Sequence, residues 1–271
     1  MTEISVIMGV LCTRERIPLL ASAVRSVFEQ TYSNFEIIIC DDGSDEETRA
    51  FLDNLSQTCE KVRVVRGSGS TALPAKLNFC LRYAQGRYIA RMDDDDLSYP
   101  ERFDRQLRYL SKHPEISFVG CSAYVISDGE KLGVYDFREF PTAKDFRFTQ
   151  PFIHPTLIFR REALDEAGGY SEDDSCLLCE DYDLLLRLYA AGRTGANVQE
   201  LLFEYSVILD DPRRRKLRIR RNEIITRFRR FRDNRMLPKY LIYVLKPLAV
   251  WIIPHRLLKK IKTRRLKKSM I

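Results

Sequence analysis

Gly86-Arg87-Tyr88-Ile89-Ala90-Arg91-Met92-Asp93-Asp94-Asp95-Asp96-Leu97-Ser98-Tyr99-Pro100 runs a short strand directly into four aspartates. Tyr88–Met92 reads as the strand, and Pro100 opens a helix beyond the acidic run. Four adjacent carboxylates repel one another and are costly to hold together unless a cation sits among them. Aspartates two apart in a strand-end loop can point to the same side. That arrangement suits a hard divalent ion, which takes oxygen ligands and keeps part of its shell for phosphate oxygens. A solvated acidic loop, with Asp96 or Ser98 capping the next helix, is the other reading of these residues.

Upstream, apolar runs alternate with helical patterns. Ile4–Val10 predicts a buried strand, and Pro18 opens a helix whose Leu19, Leu20, Ala23, Val24, Val27 and Phe28 recur at helical spacing. Phe35–Cys40 predicts a second strand, which breaks into Asp41-Asp42-Gly43-Ser44 before a helix from about Asp45. Val62–Val65 predicts a third strand, Gly67–Ser70 a loop, and Leu73–Tyr83 a helix ended by Gly86. This β-α-β-α-β-α-β order argues an α/β domain with a mainly parallel sheet. Ligands of such sheets sit beyond the carboxyl ends of the strands. Asp41-Asp42 and Asp93–Asp96 both fall there, which two unrelated surface turns would have no reason to do.

The second half is less regular. Ile116–Ile126 and Thr156–Phe159 read as strands, with Asp128-Gly129 as a hairpin turn. Glu180–Ala191 reads as a helix, with Leu184, Leu185 and Leu188 on one face. Its leading Glu180-Asp181 fits either carboxylates favoured by the helix dipole or a general base held at a helix start. His154, between Pro151 and Pro155, reads as structural.

The 271 residues are 45% hydrophobic and 11% aromatic, which permits a sizeable core and excludes global disorder. Seven cysteines, an odd number in so long a chain, read as reduced thiols of a cytosol. Cys176 and Cys179 form a lone C-x-x-C, better read as two part-buried thiols than as half a zinc site. No basic segment precedes a long apolar run at the N-terminus, so no secretion signal is expected.

Charge divides the chain. Residues 205–271 hold 22 Lys and Arg against 4 Asp and Glu, while the preceding 204 residues hold 23 against 34. The basic run from Arg213-Arg214-Arg215-Lys216 continues to Arg232. The apolar stretch Tyr240–Leu258 follows, interrupted by Lys246, Pro247 and Pro254, and then Lys259-Lys260 and Arg264-Arg265. The interruptions argue against a membrane-spanning helix and for an interfacial segment on an anionic membrane. A helical hairpin packed on the body is the alternative. Nucleic acid is excluded as a partner, because it offers no use for the apolar stretch.

The segments ISVIMGV, QTYSNFEIIICDDGSDEET, GRYIARMDDDDLSYPERFDRQLRYL, HPTLIFRREAL…GGY and CEDYDLLLRL, in this order and spacing, resemble the family 2 glycosyltransferases of the GT-A fold. The resemblance covers roughly residues 3–205. It implies a GT-A catalytic domain over residues 1–205, with a Rossmann-like nucleotide-sugar-binding half (1–100) and an acceptor and catalytic-base half (101–205). A basic, amphipathic, membrane-associating region (206–271) follows. By the same resemblance Asp42 meets the nucleobase with Asp41 beside it. Asp93 and Asp95 form the Asp-x-Asp motif, with Asp95 the direct ligand of a Mn²⁺ or Mg²⁺ ion that bridges the donor diphosphate. Asp181 is the catalytic base. Thr13 and Arg14 fall in the loop that touches the nucleotide, where many relatives have Val-Tyr-Asn and this chain has Val10-Leu11-Cys12. The Gln-x-x-Arg-Trp signature of processive members is absent, which argues against a polymerising synthase.

The implied activity is metal-dependent, inverting transfer of a hexose from a nucleotide-sugar, UDP-glucose or UDP-galactose. The implied acceptor is a lipid-linked oligosaccharide of O-antigen, capsule or exopolysaccharide, on the cytoplasmic face of a bacterial cell membrane. Two rivals stand beside it. A nucleotidyltransferase or nucleotide-sugar pyrophosphorylase would show a glycine-rich basic loop after the first strand, where this chain has Leu11-Cys12-Thr13-Arg14. A non-catalytic nucleotide-sugar-binding protein would have no need of both Asp95 and Asp181.

Overall fold

A computed structural model describes residues 2–209 and 211–268. Its strands are β1 (Ile4–Val10), β2 (Phe35–Asp41), β3 (Val62–Val65), β4 (Tyr88–Arg91), β5 (Leu97–Ser98), β6 (Ile116–Ser127), β7 (Glu130–Tyr135), β8 (Ile158–Arg160) and β9 (Thr194–Ser206). Its helices are α1 (Ile17–Phe28), α2 (Glu46–Thr58), α3 (Leu73–Tyr83), α4 (Arg102–Lys112), α5 (Arg161–Glu166), α6 (Glu180–Ala190), α7 (Leu217–Asp233), α8 (Leu241–Val244), α9 (Lys246–Ile252) and α10 (His255–Lys268).

One sheet runs in the order β3-β2-β1-β4-β8-β6-β9-β5, with β7 hydrogen-bonded to β6. The first four strands are parallel, as their continuous apolar runs predict. Beyond β4 the sheet is mixed: β8 is antiparallel to β4 and β6, and β9 is parallel to β6. Strand β9 escaped the sequence reading because its register against β6 shifts repeatedly, which breaks the alternation that marks a half-buried strand. Helix α4 begins at Arg102 rather than at Pro100. Gln30 at the end of α1 takes up the intervening backbone, donating to the Tyr99 carbonyl at 2.7 Å and accepting from the Phe103 amide at 3.1 Å.

The sheet is covered on both faces. Val6, Met8 and Val10 of β1 pack with α1 and α4 through Leu20, Val24, Val27, Phe103 and Leu110. Ile7 points the other way, into a core shared by Leu77 of α3, Leu184 and Leu188 of α6, and Phe231 of α7. Gly86 lets the turn before β4 lie against β1. A Cβ there would meet the Ser5 amide nitrogen at 2.5 Å, and the Gly86 amide donates to the Ser5 hydroxyl at 2.7 Å.

Helix α7 is built into the body. Asp183 of α6 is fully buried and takes ion pairs from Arg187 at 2.8 Å and Arg230 at 2.7 Å. Arg227, also buried, lies over the Tyr182 ring at 4.8 Å. Thr226 donates to the Ser175 carbonyl at 2.9 Å. Helix α10 rests so closely on β7 that a side chain at Gly133 would collide with the Leu266 backbone. Of the basic run, the side chains of Arg214, Arg215 and Arg265 lie outside the described residues. No described helix is long and apolar enough to cross a membrane.

Removing one partner of a buried charge network leaves the others uncompensated, at a cost of roughly 3–5 kcal/mol. Asp183→Ala is therefore expected to destabilise the protein by about that amount and to lower the thermal midpoint by roughly 10 °C. Calorimetry checks it, with Arg230→Met, which leaves Arg187 paired, expected to lose less.

Candidate active site

The parallel strands end side by side. Val10 of β1 pairs with Asp41 of β2, and Ile7 pairs with Arg91 of β4, so both acidic segments emerge on one edge. Asp41 is fully buried and accepts from Arg66 Nε at 3.2 Å and from the Ser44 amide at 3.4 Å. Asp42 accepts from the Gly67 amide at 2.9 Å and the Ser68 amide at 2.7 Å. Burial opposes ionisation of Asp42, but these donors outweigh it and hold its pKa down at about 2. The Thr13 and Arg14 side chains are exposed. Their loop is tied down by backbone: the Arg14 amide donates to Asp45 at 2.7 Å, and the Cys12 amide donates to the Ser44 hydroxyl at 2.9 Å.

Lys76 lies beneath this pocket. It is buried in α3 and donates to the Val10 carbonyl at the end of β1. Burial pushes its pKa down, while Cys40, Asp41, Asp42 and Asp94 pull it up. One ammonium thus serves both acidic segments from below.

The acidic run is divided among cations. Arg91, fully buried in β4, donates to Asp93 and to the Met92 carbonyl. Arg16 Nη2 reaches Asp94 at 3.1 Å and Asp95 at 3.0 Å. Asp96 is buried and accepts from the Ser206 amide at 2.7 Å, and the Ser206 hydroxyl donates to the Asp95 carbonyl at 2.5 Å. Burial, then the charges of Asp94 and Asp93, raise the pKa of Asp95 to about 6. Asp93 and Asp95 keep part of their surface open, with side chains 29% and 34% exposed. Among the described residues no three His, Cys, Asp or Glu side chains form a metal cage. The donor set nevertheless fits a hard cation. It is all oxygen and part-exposed, it carries like-charge repulsion that a cation relieves, and it leaves room for phosphate ligands.

Asp181 stands in the first turn of α6. Its Oδ1 accepts from the Tyr182 amide at 2.7 Å and its Oδ2 from Gln150 Nε2 at 2.9 Å. Burial pushes the pKa of the Tyr170 hydroxyl up, with Asp181, Glu180 and Asp93 adding to the rise and Arg91 opposing it. His154 bonds Tyr170 at 2.8 Å. Burial, with help from Arg91, pushes the His154 pKa down to about 3, so it serves as a neutral structural residue. Cys176 and Cys179 are free, and both are more buried than the sequence suggested. They lie against Thr226 of α7, with burial raising both thiol pKa values.

Residues 9–168 match the profile of the family described as Glycosyl transferase family 2. The chain belongs to that family. EpsE of Bacillus subtilis, a protein assigned as a glycosyltransferase, is 31% identical over 97% of this chain and 94% of its own length. The O-antigen biosynthesis glycosyltransferase WbnJ of Escherichia coli is 30% identical over 68% of this chain and 73% of its own length. A Staphylococcus aureus TarS fragment crystallised with UDP-GlcNAc superposes with a TM-score of 0.70 at 14% identity, over 97% of this chain and 79% of that one. The mannosyltransferase PcManGT from Pyrobaculum calidifontis, in complex with GDP-Man and Mn²⁺, gives 0.63 at 17% identity over 98% and 83%. These two likenesses establish the fold, which is GT-A. Family membership sets aside the nucleotidyltransferase alternative.

In this family 2 chain the sequence reading named the carboxylates but not the groups that meet them. Arg16, Arg91 and Gln150 are bonded to them, and Lys76 is a buried charge beside them. Two carried a visible signal: Arg91 interrupts a buried strand, and Lys76 sits on the apolar face of α3. Asp42 and Asp95 should titrate far apart in the metal-free protein. The depressed pKa of Asp42 contributes stability that is present above the ordinary carboxylate range and lost as pH falls through about 2. The raised pKa of Asp95 works in the opposite sense, disfavouring the fold above about pH 6 and relieving that cost below it. Side-chain carboxyl ¹³C NMR should show an Asp95 transition near pH 6 and none for Asp42 above pH 3.

Proposed function

We propose that this chain is a metal-dependent, inverting hexosyltransferase working at a membrane surface, with residues 1–205 as its catalytic domain and residues 206–271 as its membrane-associating region. The observation that carries the reading is that Asp42 and the Asp93–Asp95 pair leave one edge of the sheet, from the two strands that flank β1, while Asp181 stands oriented in the first turn of α6. Asp42 is the candidate partner for the nucleobase, Asp41 orders its loop through Arg66 and Ser44, and the Thr13–Arg14 loop flanks it. Asp93 and Asp95 would hold Mn²⁺ or Mg²⁺. Such an ion supplies positive charge to the diphosphate as it leaves. That solved relatives of the same fold carry UDP-GlcNAc, or GDP-Man with Mn²⁺, supports a nucleotide-sugar donor here. UDP-glucose or UDP-galactose is the proposed donor. A further relative is named UDP-Gal:alpha-D-GlcNAc-diphosphoundecaprenol beta-1,3-galactosyltransferase, which supports UDP-galactose and a lipid-linked saccharide acceptor.

The acceptor hydroxyl is a poor nucleophile at neutral pH and needs a base on the face opposite the leaving group. Asp181 takes that proton. Its two oxygens are oriented by Gln150 and Tyr182, so the carboxylate has a fixed direction before the acceptor arrives. One base and a single displacement invert the anomeric centre.

The surface of α8, α9 and α10 supports the membrane part. Ile242 and Ile252 are 75% and 74% exposed, and Leu245, Trp251 and Leu257 are at least 41% exposed. Between α7 and α8 runs an apolar groove of about 450 Å³, lined by Ile224, Phe228, Leu241 and Leu245. Basic side chains flank this surface, and each contributes about 1 kcal/mol near an anionic lipid layer before screening. The site of action is then the cytoplasmic face of the cell membrane, in O-antigen, capsule or exopolysaccharide synthesis.

Asp95→Asn and EDTA should each lower transfer by orders of magnitude while the fold survives. Asp181→Asn should abolish transfer and leave UDP binding by calorimetry unchanged. Transfer that survives both Asp95→Asn and EDTA overturns the metal dependence, and equal loss of UDP binding and turnover in Asp181→Asn overturns the base. In co-sedimentation with anionic vesicles, full-length protein should pellet at low salt and less at high salt. The double change Ile242→Asp and Ile252→Asp should keep it in the supernatant.

A further inference from the structure

Gln150 meets Asp181 from the loop that precedes the turn at His154–Thr156. Its Nε2 lies 2.9 Å from Asp181 Oδ2 and 3.2 Å from the Phe152 carbonyl oxygen. Both neighbours are acceptors, so the amide can present only its nitrogen to them. Its Oε1 is buried and has no hydrogen-bond partner among the described residues. A side chain that leaves its own oxygen unsatisfied in order to keep both N–H groups on Asp181 and Phe152 is held for those bonds rather than for filling space.

The loop that carries it stands on the C-terminal segment. A short turn at Ala143–Arg147 is closed by reciprocal bonds between Thr142 and Asp145. Phe148 follows, edge-on to Tyr243 with ring centroids 5.1 Å apart. Lys246 donates to the Phe148 carbonyl. The Arg147 guanidinium lies over the Phe148 ring at 4.5 Å and the Tyr240 ring at 5.6 Å. One residue, Thr149, separates this foothold from Gln150.

We propose that Gln150 is a positioning residue for Asp181, and that residues 240–246 hold it in place by seating the loop at Phe148. The proposal rests on Asp181 being the base for its catalytic meaning, but the contact it describes is measurable without catalysis. Donation to the ionised carboxylate favours the ionised form. The Gln150 amide itself reports the contact, because a proton held on a carboxylate exchanges slowly with solvent.

The test is the Gln150 side-chain amide of the full chain, its ¹H–¹⁵N resonances assigned by their loss in Gln150→Ala and followed without donor or metal. One amide proton should exchange at least about tenfold more slowly than in free glutamine. Asp181→Ala should remove most of that protection, and Tyr243→Ala should reduce it by less. Gln150→Ala should lower kcat and leave the affinity for UDP unchanged. UDP binding by calorimetry, unchanged in all variants, shows that the fold is kept. Protection that is absent in the native chain, or unchanged in Asp181→Ala, overturns the positioning role. Protection unchanged in Tyr243→Ala overturns the seating by residues 240–246. Full transfer activity in Asp181→Asn would sink the base assignment alone and leave the measured contact standing.

Discussion

Carboxylates cannot crowd the end of a buried strand without cations close by, and much of this molecule answers that constraint. Asp93 to Asp96 follow β4 after the single residue Met92, and three different elements meet them. Arg91 reaches Asp93 from inside the sheet, Arg16 reaches Asp94 and Asp95 from the first loop, and the Ser206 amide reaches Asp96 from the end of β9. Lys76 adds a buried positive charge that also serves Asp41 and Asp42. The loop after β1, the helix after β3 and the last strand are thereby drawn to one edge. Burial still wins at Asp95, whose pKa stays high. The acidic run is compensated well enough to fold and incompletely enough to favour a further cation.

The parallel half of the fold was legible because its strands are buried on both faces and its helices begin at Pro or Asp. The Asp45 side chain caps α2, and Pro18 and Pro74 lie in the first turns of α1 and α3. The mixed half was not. Strand β9 has a shifting register, and β8 is three residues long behind a 3₁₀ turn. The candidate site shows the same division. Asp41, Asp42, Asp93, Asp95 and Asp181 stand in local motifs, so sequence pattern and family resemblance pick them out. Gln150 and Arg16 act across 31 and 79 residues of chain, and nothing local marks such a pairing.

The charge asymmetry of the sequence suggested a tail doing a separate job. In the structure the two proposed uses of that segment fall on different pieces of it. Helix α7 turns Arg220, Arg227 and Arg230 inward, on Glu223, the Tyr182 ring and Asp183, and contributes Phe231 to the core. Helices α8 to α10 leave their large apolar residues outward. Inward packing and outward apolar exposure are therefore successive properties of one segment.

The Asp183–Arg230 pair spans 47 residues, and the contact of α10 with Gly133 spans many more. Elements this far apart in sequence meet only after the intervening chain has been made. During synthesis α6 emerges with Asp183 met only by Arg187 of the same helix and with Phe231 still missing from its core. The body must wait for α7 to close, and the outward apolar face of α8 and α9 is made directly afterwards. The greasy surface thus comes into being on a body that has just become able to fold, so the order of synthesis itself shortens the time for which that face is exposed on an unfinished chain.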